Sequence, residues 1–329
     1  MIRLKKTVGN LARCSLLFCL IHPLPGYSDS IQTPSTVAAM AQQSLLVNSA
    51  KAGERIFSVG GRGHILYSDD QGESWMQANS PTQMLLTAID FIDDKMGWAV
   101  GHDSVILGTQ DGGKNWNILF EAPEFEKPLL DVLFFDAKNG LVTGAYGFIM
   151  RTSDGGKTWQ EFMIGEIDWH FNSILRVGEH ALIAGEAGTL IRSSDQGATW
   201  EPLDSPYVGS FFGAMARPIS NGQKIIAFGL RGHAFTSTDI GTSWTEIKTG
   251  VTTNILGGTF TPSGDTILLG AGGTVLRQTK GEENFKRIPY QGFENLSSVV
   301  AISDSNLLVF GVRGASQLNI HVTIQLPKN

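Results

Sequence analysis

Five aspartates recur in one eight-residue phrase, and their carboxylates are the side chains of this chain whose type and spacing best suit chemistry. The phrase reads Ser-Asp-Asp-Gln-Gly-Glu-Ser-Trp at 68–75 and Thr-Ser-Asp-Gly-Gly-Lys-Thr-Trp at 152–159. The five aspartates are Asp70, Asp111, Asp154, Asp195 and Asp239. A carboxylate can ligate calcium, transfer a proton in catalysis, or accept hydrogen bonds from its own turn. Each role requires different neighbours.

The neighbours favour the third role. A calcium loop needs ligands at alternate positions and a closing glutamate, which the segment around Asp70 lacks. Each aspartate is instead followed by a glycine, which allows a positive φ, and by a tryptophan that can pack between hairpins. These tryptophans are Trp75, Trp116, Trp159, Trp200 and Trp244. We therefore expect structural turns, and not catalytic acids. A sixth copy, Gln278–Phe285, has Lys280 in place of the aspartate.

Other catalytic patterns are missing from the sequence. The histidines lack metal-binding spacing, no G-x-S-x-G phrase is present, and Gly60-Gly61-Arg62-Gly63 precedes no helical pattern. We therefore predict no cofactor and no metal. Carboxylates in the connecting loops nevertheless leave glycoside hydrolysis open, because that reaction needs only two acids across a cleft. These residues are Glu121, Glu124, Glu126, Glu166, Asp168, Asp204 and Glu294.

The elements that must position these residues follow from an internal repeat. Anchor glycines recur at spacings of 41, 43, 41, 44, 41 and 41 residues, and the first six precede the closing aromatic by fifteen residues. They are Gly60, Gly101, Gly144, Gly185, Gly229, Gly270 and Gly311. Within the second unit, alternation predicts strands at 86–91, 97–100, 105–109 and 116–120. Four short strands per unit of about 40 residues are typical of propeller blades. The prediction is an all-β fold: one seven-bladed β-propeller of four-stranded antiparallel blades over 41–328. The seventh unit lacks the aromatic turn, and a strand near 37–47 is one way to complete it.

The amino terminus predicts export. Four basic residues precede a short apolar run containing Cys14 and Cys19, and two prolines and small residues follow. We predict a cleaved secretion signal at 1–28 and a flexible leader at 29–40. Cleavage removes four of the 25 basic residues and none of the 31 acidic ones, leaving a net charge of −10. It also removes both cysteines. The composition therefore argues against thiol chemistry and against general nucleic-acid binding.

The repeated turn resembles the Asp-box, S-x-D-x-G-x-T-W, of sialidase-like propellers. Seven such units behind an export signal resemble the photosystem II stability and assembly factor family over 41–328, with its recurring phrase visible at 144–154 and 185–200. The resemblance implies a non-catalytic propeller that binds a membrane or periplasmic protein as an assembly factor. We also expect the chain to be a monomer. In photosynthesis the place of action would be the thylakoid lumen. In a non-phototroph it would be the periplasm, where the partner could be a membrane transport system. The alternative is a sialidase-like glycosidase or glycan-binding propeller, although the Arg-Ile-Pro phrase at 287–289 follows the last box, whereas sialidases carry it before the first.

The resemblance also implies binding residues, because the family uses arginines on one propeller face. Two positions after the anchor glycine stand Arg62, Arg231 and Arg313, and seven positions after it stand Arg151, Arg192 and Arg277. The other interpretation is that these arginines cover hairpin ends. Candidate contacts in the connecting loops are Trp169, His170 and Tyr207.

Overall fold

The computed structural model describes residues 33–320 and the backbone of a two-residue strand, Leu24–Pro25. Seven antiparallel sheets follow one another along the chain and form a ring, which confirms the predicted seven-bladed propeller. Leu24–Pro25 pairs with the fourth strand of blade 3, and the rest of the predicted signal lies outside the described residues. No helix within the described part of the chain is long and apolar enough to cross a membrane.

The strands of each blade run outward from the ring axis in chain order. Blade 1 contains Leu46–Ala52, Arg55–Gly60, Ile65–Ser68 and Met76–Gln77. Blade 2 contains Leu86–Phe91, Gly97–Gly101, Ile106–Thr109 and Asn117–Phe120. Blade 3 contains Leu129–Phe134, Gly140–Gly144, Ile149–Thr152 and Thr158–Phe162. Blade 4 contains Ser173–Val177, His180–Ala184, Leu190–Ser193 and Glu201–Pro202. Blade 5 contains Phe211–Ile219, Gly222–Gly229, Ala234–Ser237 and Thr245–Ile247. Blade 6 contains Ile255–Phe260, Thr266–Gly270, Thr274–Gln278 and Lys286–Arg287. Blade 7 contains Leu296–Ala301, Asn306–Gly311 and Gly314–Asn319. Short 3-10 turns are Ala41–Gln43, Gly61–Gly63, His102–Ser104, Pro123–Phe125, Glu186–Gly188, Leu230–Gly232 and Ala271–Gly273.

The anchor glycines mark the end of each second strand for a steric reason. At Gly144 a Cβ would lie 2.7 Å from the carbonyl oxygen of Pro128, and at the other six anchors it would collide with the corresponding carbonyl of the connection entering the same blade. A side chain would therefore displace the loop that delivers the chain to the inner strand. This close approach explains why glycine recurs once per blade.

Neighbouring blades are joined at the hub by side chains near the start of the inner strands. Thr87 Oγ1 donates to the carbonyl of Leu129 at 2.7 Å, joining blade 2 to blade 3. Ser297 Oγ makes the equivalent bond to the carbonyl of Leu46 at 2.8 Å, joining blade 7 to blade 1. The ring thus closes with the same contact that it uses internally. The stretch near residues 37–47 adds no fourth strand to blade 7, because it forms a 3-10 turn and then begins blade 1.

The described part of the predicted leader is held against blade 1. The backbone N–H of Ser35 donates to the Ser80 carbonyl at 2.9 Å, and that of Ala38 donates to Gln77 Oε1 at 3.0 Å. Residues 33–40 therefore form part of the surface beside the first blade.

Candidate functional site

The two ends of the ring carry different kinds of connection. The loop face is the end that carries the turns between second and third strands and the connections between blades. We call the opposite end, with the first hairpins and the Asp-box turns, the box face. Because strands alternate in direction, residues two and seven positions after an anchor glycine lie toward opposite ends of their blades.

The Asp-box carboxylates are used within their own turns on the box face. In the first box, Asp70 Oδ1 accepts the backbone N–H of Ser74 at 2.9 Å and the hydroxyl of Ser68 at 2.8 Å. The hydroxyl and backbone N–H of Ser74, with the Ser68 hydroxyl, lower the pKa of Asp70 to about 2. The same bonds recur around the other four box aspartates, which leaves these carboxylates ionised and engaged rather than poised for catalysis.

The box turns also hold neighbouring blades together. Gly113 has a φ of 74°, and a Cβ there would collide with the ring of Phe57 in blade 1. Trp116 packs in the same interface, with its indole N–H bonded to the Gly113 carbonyl at 3.0 Å. The other four box tryptophans likewise contact the preceding blade. In the sixth copy, the buried carboxylate of Asp265 accepts the backbone N–H of Lys280 at 2.8 Å, so the first hairpin supplies the acid that the turn has lost. Sequence reasoning missed Asp265 because it lies outside the eight-residue phrase.

Arg151, Arg192 and Arg277 lie on third strands toward the box face and bind groups of the propeller itself. Arg151 bonds Gln160 of its own blade at 3.1 Å. Arg192 pairs with Glu201 at 2.7 Å and donates to the carbonyl of Ile240, in the next box, at 2.8 Å. Arg277 pairs with Asp265 at 2.6 Å. These contacts are those of arginines that cover hairpin ends.

Arg62, Arg231 and Arg313 lie on the loop face, in the turns between second and third strands. All three are exposed, and their guanidinium groups make no hydrogen bond or ion pair within residues 33–320. Arg62 and Arg231 have φ values of 58° and 56°, in the left-handed region that L-residues occupy at a cost. The structure therefore does not bring the six arginines together on one face.

The three predicted loop contacts differ in their exposure and in their hydrogen bonds. The Trp169 side chain is 51% exposed on the loop face. His170 Nδ1 accepts the backbone N–H of Tyr146 at 3.2 Å, and the two rings meet edge to face. Tyr207 is half-buried against Phe211 and donates its hydroxyl to the Leu230 carbonyl at 3.2 Å. Trp169 is thus free to contact a partner, His170 holds a surface turn, and Tyr207 packs a connection.

Large exposed apolar side chains concentrate on the loop face. Ten large hydrophobic side chains are exposed among the described residues, and Met76 is the one that lies on an outer strand. The other nine lie in the segment before blade 1, in the connections between blades or in the turns between second and third strands. They are Val37, Met40, Leu45, Tyr146, Met163, Trp169, Val208, Phe293 and Val312. The concentration of these side chains at one end makes the loop face the candidate contact surface.

Charge is segregated around the same face. Six acidic residues of this face lie in blades 2 to 4 or the connections that follow blades 2 and 3, and two more lie in later connections. The six are Asp103, Glu124, Glu126, Glu166, Asp168 and Glu186, and the two are Asp204 and Glu294. The unpaired arginines lie in blades 1, 5 and 7. The three exposed arginines therefore lie outside the part of the loop face in which its acidic residues are most numerous, although the chain as a whole is acidic.

The ring axis contains a cavity of about 430 Å³ lined by the inner strands. Asp131 lies on its wall and accepts the backbone N–H of Ile174, in blade 4, at 2.8 Å. Asp90 makes the corresponding contact from blade 2 to the N–H of Phe134 at 2.9 Å. Burial raises the pKa of Asp131 to about 7 and that of Asp90 to about 6. No group of three or more histidine, cysteine or acidic residues in the described chain is arranged to hold a metal ion.

Comparison with known proteins relates this ring to one family. The family model described as "Photosynthesis system II assembly factor YCF48" matches residues 73–120 and 120–207. Photosystem II stability/assembly factor HCF136, chloroplastic, of Cyanidioschyzon merolae is 40% identical over 62 residues, which are 18% of this chain and 14% of the relative. The sequence match thus spans about a seventh of that curated relative. The resemblance expected from the Asp-box repeat is confirmed.

Solved structures share the fold at low identity. A structure of YCF48 bound to D1 peptide superposes with a TM-score of 0.69 at 17% identity, covering 91% of this chain and 99% of that one. YCF48 from Cyanidioschyzon merolae gives 0.67 at 18% identity, over 85% of this chain and 96% of that one. The WD40 propeller domain of Doa1 gives 0.67 at 12% identity, over 87% and 96%. All three superpositions have less than 20% sequence identity, so they establish the ring architecture alone.

Proposed function

We propose that this chain is an exported, non-catalytic propeller that binds a membrane or periplasmic protein as an assembly or accessory factor, in the manner of the photosystem II assembly factors that it resembles. In a phototroph the place of action is the thylakoid lumen. In a non-phototroph it is the periplasm, where a membrane transport system is the expected client.

One observation carries the proposal: Arg62, Arg231 and Arg313 are exposed and unpaired on one face of an acidic chain. A guanidinium group without an internal partner can bind a carboxylate through two parallel hydrogen bonds. Three such groups on one face suit an acidic segment of a protein partner, and their charge steers its approach. The exposed Trp169 lies on the same face and supplies an aromatic anchor of the kind that concentrates binding energy.

The other candidate arginines have a different function in this proposal. Arg151, Arg192 and Arg277 stabilise the box face, so their loss should affect stability before it affects binding. The resemblance to YCF48 is relevant because one structure of that protein is described as bound to a D1 peptide. A propeller of this architecture therefore binds a peptide in at least one solved structure.

The test is partner capture from detergent-solubilised membranes, with a photo-crosslinker placed beside Arg231. We expect one defined protein to crosslink, and Arg62→Glu, Arg231→Glu and Arg313→Glu combined to reduce its recovery at least tenfold. Arg287→Glu is the matched control, because Arg287 is exposed on the outer strand of blade 6 and lies outside the turns that carry the three arginines. Equal recovery with the triple variant and the control would refute the arginine surface.

A further inference from the structure

Several exposed side chains lie on the loop face around the junction of blade 7 with blade 1. We call the exposed side chains Met40, Leu45, Arg62, Phe293, Val312 and Arg313 the seam patch. The backbone N–H of Gly61 bonds the Leu45 carbonyl at 3.0 Å, which fixes Leu45 beside the turn of Arg62. On the other side, the N–H of Val312 bonds the Asn295 carbonyl at 3.2 Å, which fixes the turn of Arg313 beside the connection that carries Phe293.

The segment between the leader and blade 1 joins the two halves of the patch. Gly314, at the end of the Arg313 turn, lies so close to the carbonyl of Gln42 that a Cβ would collide with it. Residues 42–45 thereby bridge the turn of blade 7 and the turn of blade 1. The ring closure itself thus brings together side chains that are about 250 residues apart in the sequence.

The apolar members protrude as single loop tips. Phe293 is 90% exposed, Met40 is 61% exposed and Val312 is 53% exposed. The cavity beside them has a volume of about 190 Å³ and is lined by Tyr290, Glu294 and Arg313. That volume lies below the range of about 300–1,000 Å³ of ordinary ligand pockets, so the patch has projecting anchors and no groove to enclose a ligand.

The charge of the patch differs from that of the rest of the chain. Residues 33–45 carry no charge, and Glu294 is the one acidic residue in the connection 288–295. The pKa of Glu294 is lowered by its own backbone N–H, by the hydroxyl of Tyr290 and then by the charge of Arg313. Two arginines and one glutamate, Glu294, therefore flank the protruding side chains, which leaves the patch with a net positive charge.

We propose that the seam patch docks on the surface of a lipid bilayer that contains anionic lipids. Separate apolar tips fit a fluid, flat surface, into which each inserts independently, and aromatic and aliphatic anchors flanked by arginines are typical of interfacial membrane binding. The guanidinium groups of Arg62 and Arg313 match the phosphates of the headgroups. This inference goes beyond the proposed function: it gives the ring a fixed orientation, with its loop face toward the membrane that contains the client.

Co-sedimentation of the purified full chain with protein-free vesicles tests the proposal. We expect binding to phosphatidylcholine vesicles with about 30 mol% phosphatidylglycerol to exceed binding to phosphatidylcholine alone by about tenfold, and to fall with salt. Phe293→Ser with Val312→Ser, and separately Arg62→Glu with Arg313→Glu, should each reduce binding about tenfold. Val208→Ser and Arg231→Glu are matched controls on the same face outside the patch, and thermal unfolding checks that every variant is folded.

Three results would overturn the lipid assignment. They are equal binding to both vesicle types, equal effects of patch and control variants, or binding to native membranes that disappears after protease treatment and is absent on pure lipid. The last result would assign the patch to a protein. Because partner capture is performed in detergent and the vesicles contain no protein, failure of one proposal is distinguishable from failure of the other.

Discussion

Two buried carboxylates on inner strands, Asp90 and Asp131, predict an unusual dependence of stability on pH. The pKa of Asp131 is about 7 and that of Asp90 is about 6 in the folded chain, against an ordinary value of 3.8. Between pH 4 and pH 7 the folded state therefore holds protons that the unfolded chain has released, so the free energy of unfolding falls as pH rises. The box aspartates, whose pKa values are lowered, are already ionised in both states above pH 5 and do not add to the slope.

The perturbation that isolates this effect is Asp131→Asn. Between pH 5 and pH 7 the two carboxyl groups lose their protons in the folded state. This loss lowers the free energy of unfolding by about 2 kcal/mol through Asp131 and by about 1 kcal/mol through Asp90. His64 opposes this slope, because burial, followed by the charge of Arg62, lowers its pKa. The measured quantity is therefore the difference between variant and wild type, in which the contribution of His64 cancels.

Urea unfolding at pH 5, 6 and 7 gives the required free energies. At each pH the free energy of unfolding of wild type is subtracted from that of Asp131→Asn. This difference should rise by about 2 kcal/mol from pH 5 to pH 7, whatever its value at pH 5. Asp94→Asn, at an exposed hairpin, is the matched control and should show no such trend. A difference between Asp131→Asn and wild type that does not change with pH would refute the argument that Asp131 is protonated in the folded ring.

Four further predictions concern the turns and the activity. Gly113→Ala should destabilise the fold by about 2 kcal/mol in urea unfolding, because the new methyl group enters the ring of Phe57 at a positive φ, and an unchanged midpoint would contradict this packing. Asp154→Ala should cost about 2 kcal/mol, because it leaves the Thr158 N–H and hydroxyl without their acceptor; wild-type stability would show that the turn does not depend on the carboxylate. Arg231→Gly should unfold at or above the wild-type temperature while losing partner affinity, since glycine relieves the left-handed backbone and removes the guanidinium group; a loss of stability would count against strain at this turn. A hydrolysis screen on sialosides and xyloglucan should show no turnover, and turnover at a rate above buffer would restore the glycosidase alternative.

The sequence was informative wherever a local rule repeats. The anchor glycines and the Asp-box phrase have a constant offset because each turn satisfies its own hydrogen bonds, as Asp70 does with Ser74. The strands predicted for blade 2 agree with the structure to within one residue at each end. The sixth box shows the limit of such rules, because Asp265 replaces the missing acid from another hairpin.

The candidate site was less predictable, because it depends on which end of a blade a residue occupies and on what lies opposite it. Arg192 and Arg231 look equivalent in sequence as basic residues near an anchor glycine. Only the folded ring shows that Arg192 meets Glu201 and the next box, whereas Arg231 meets solvent. Equally, Asp131 reads as an ordinary strand residue until burial against blade 4 raises its pKa.

The sequence by itself determined the number of blades, the turn chemistry and the resemblance to a family, because these depend on contacts within about 40 residues that recur seven times. Tertiary structure alone decided the closure of the ring, the division of the arginines between two faces and the seam patch. Those features arise where Leu45 and Phe293, almost 250 residues apart, are brought to one surface. No local pattern encodes that proximity, since it results from seven successive blade-to-blade packings whose combined rotation brings the last blade against the first.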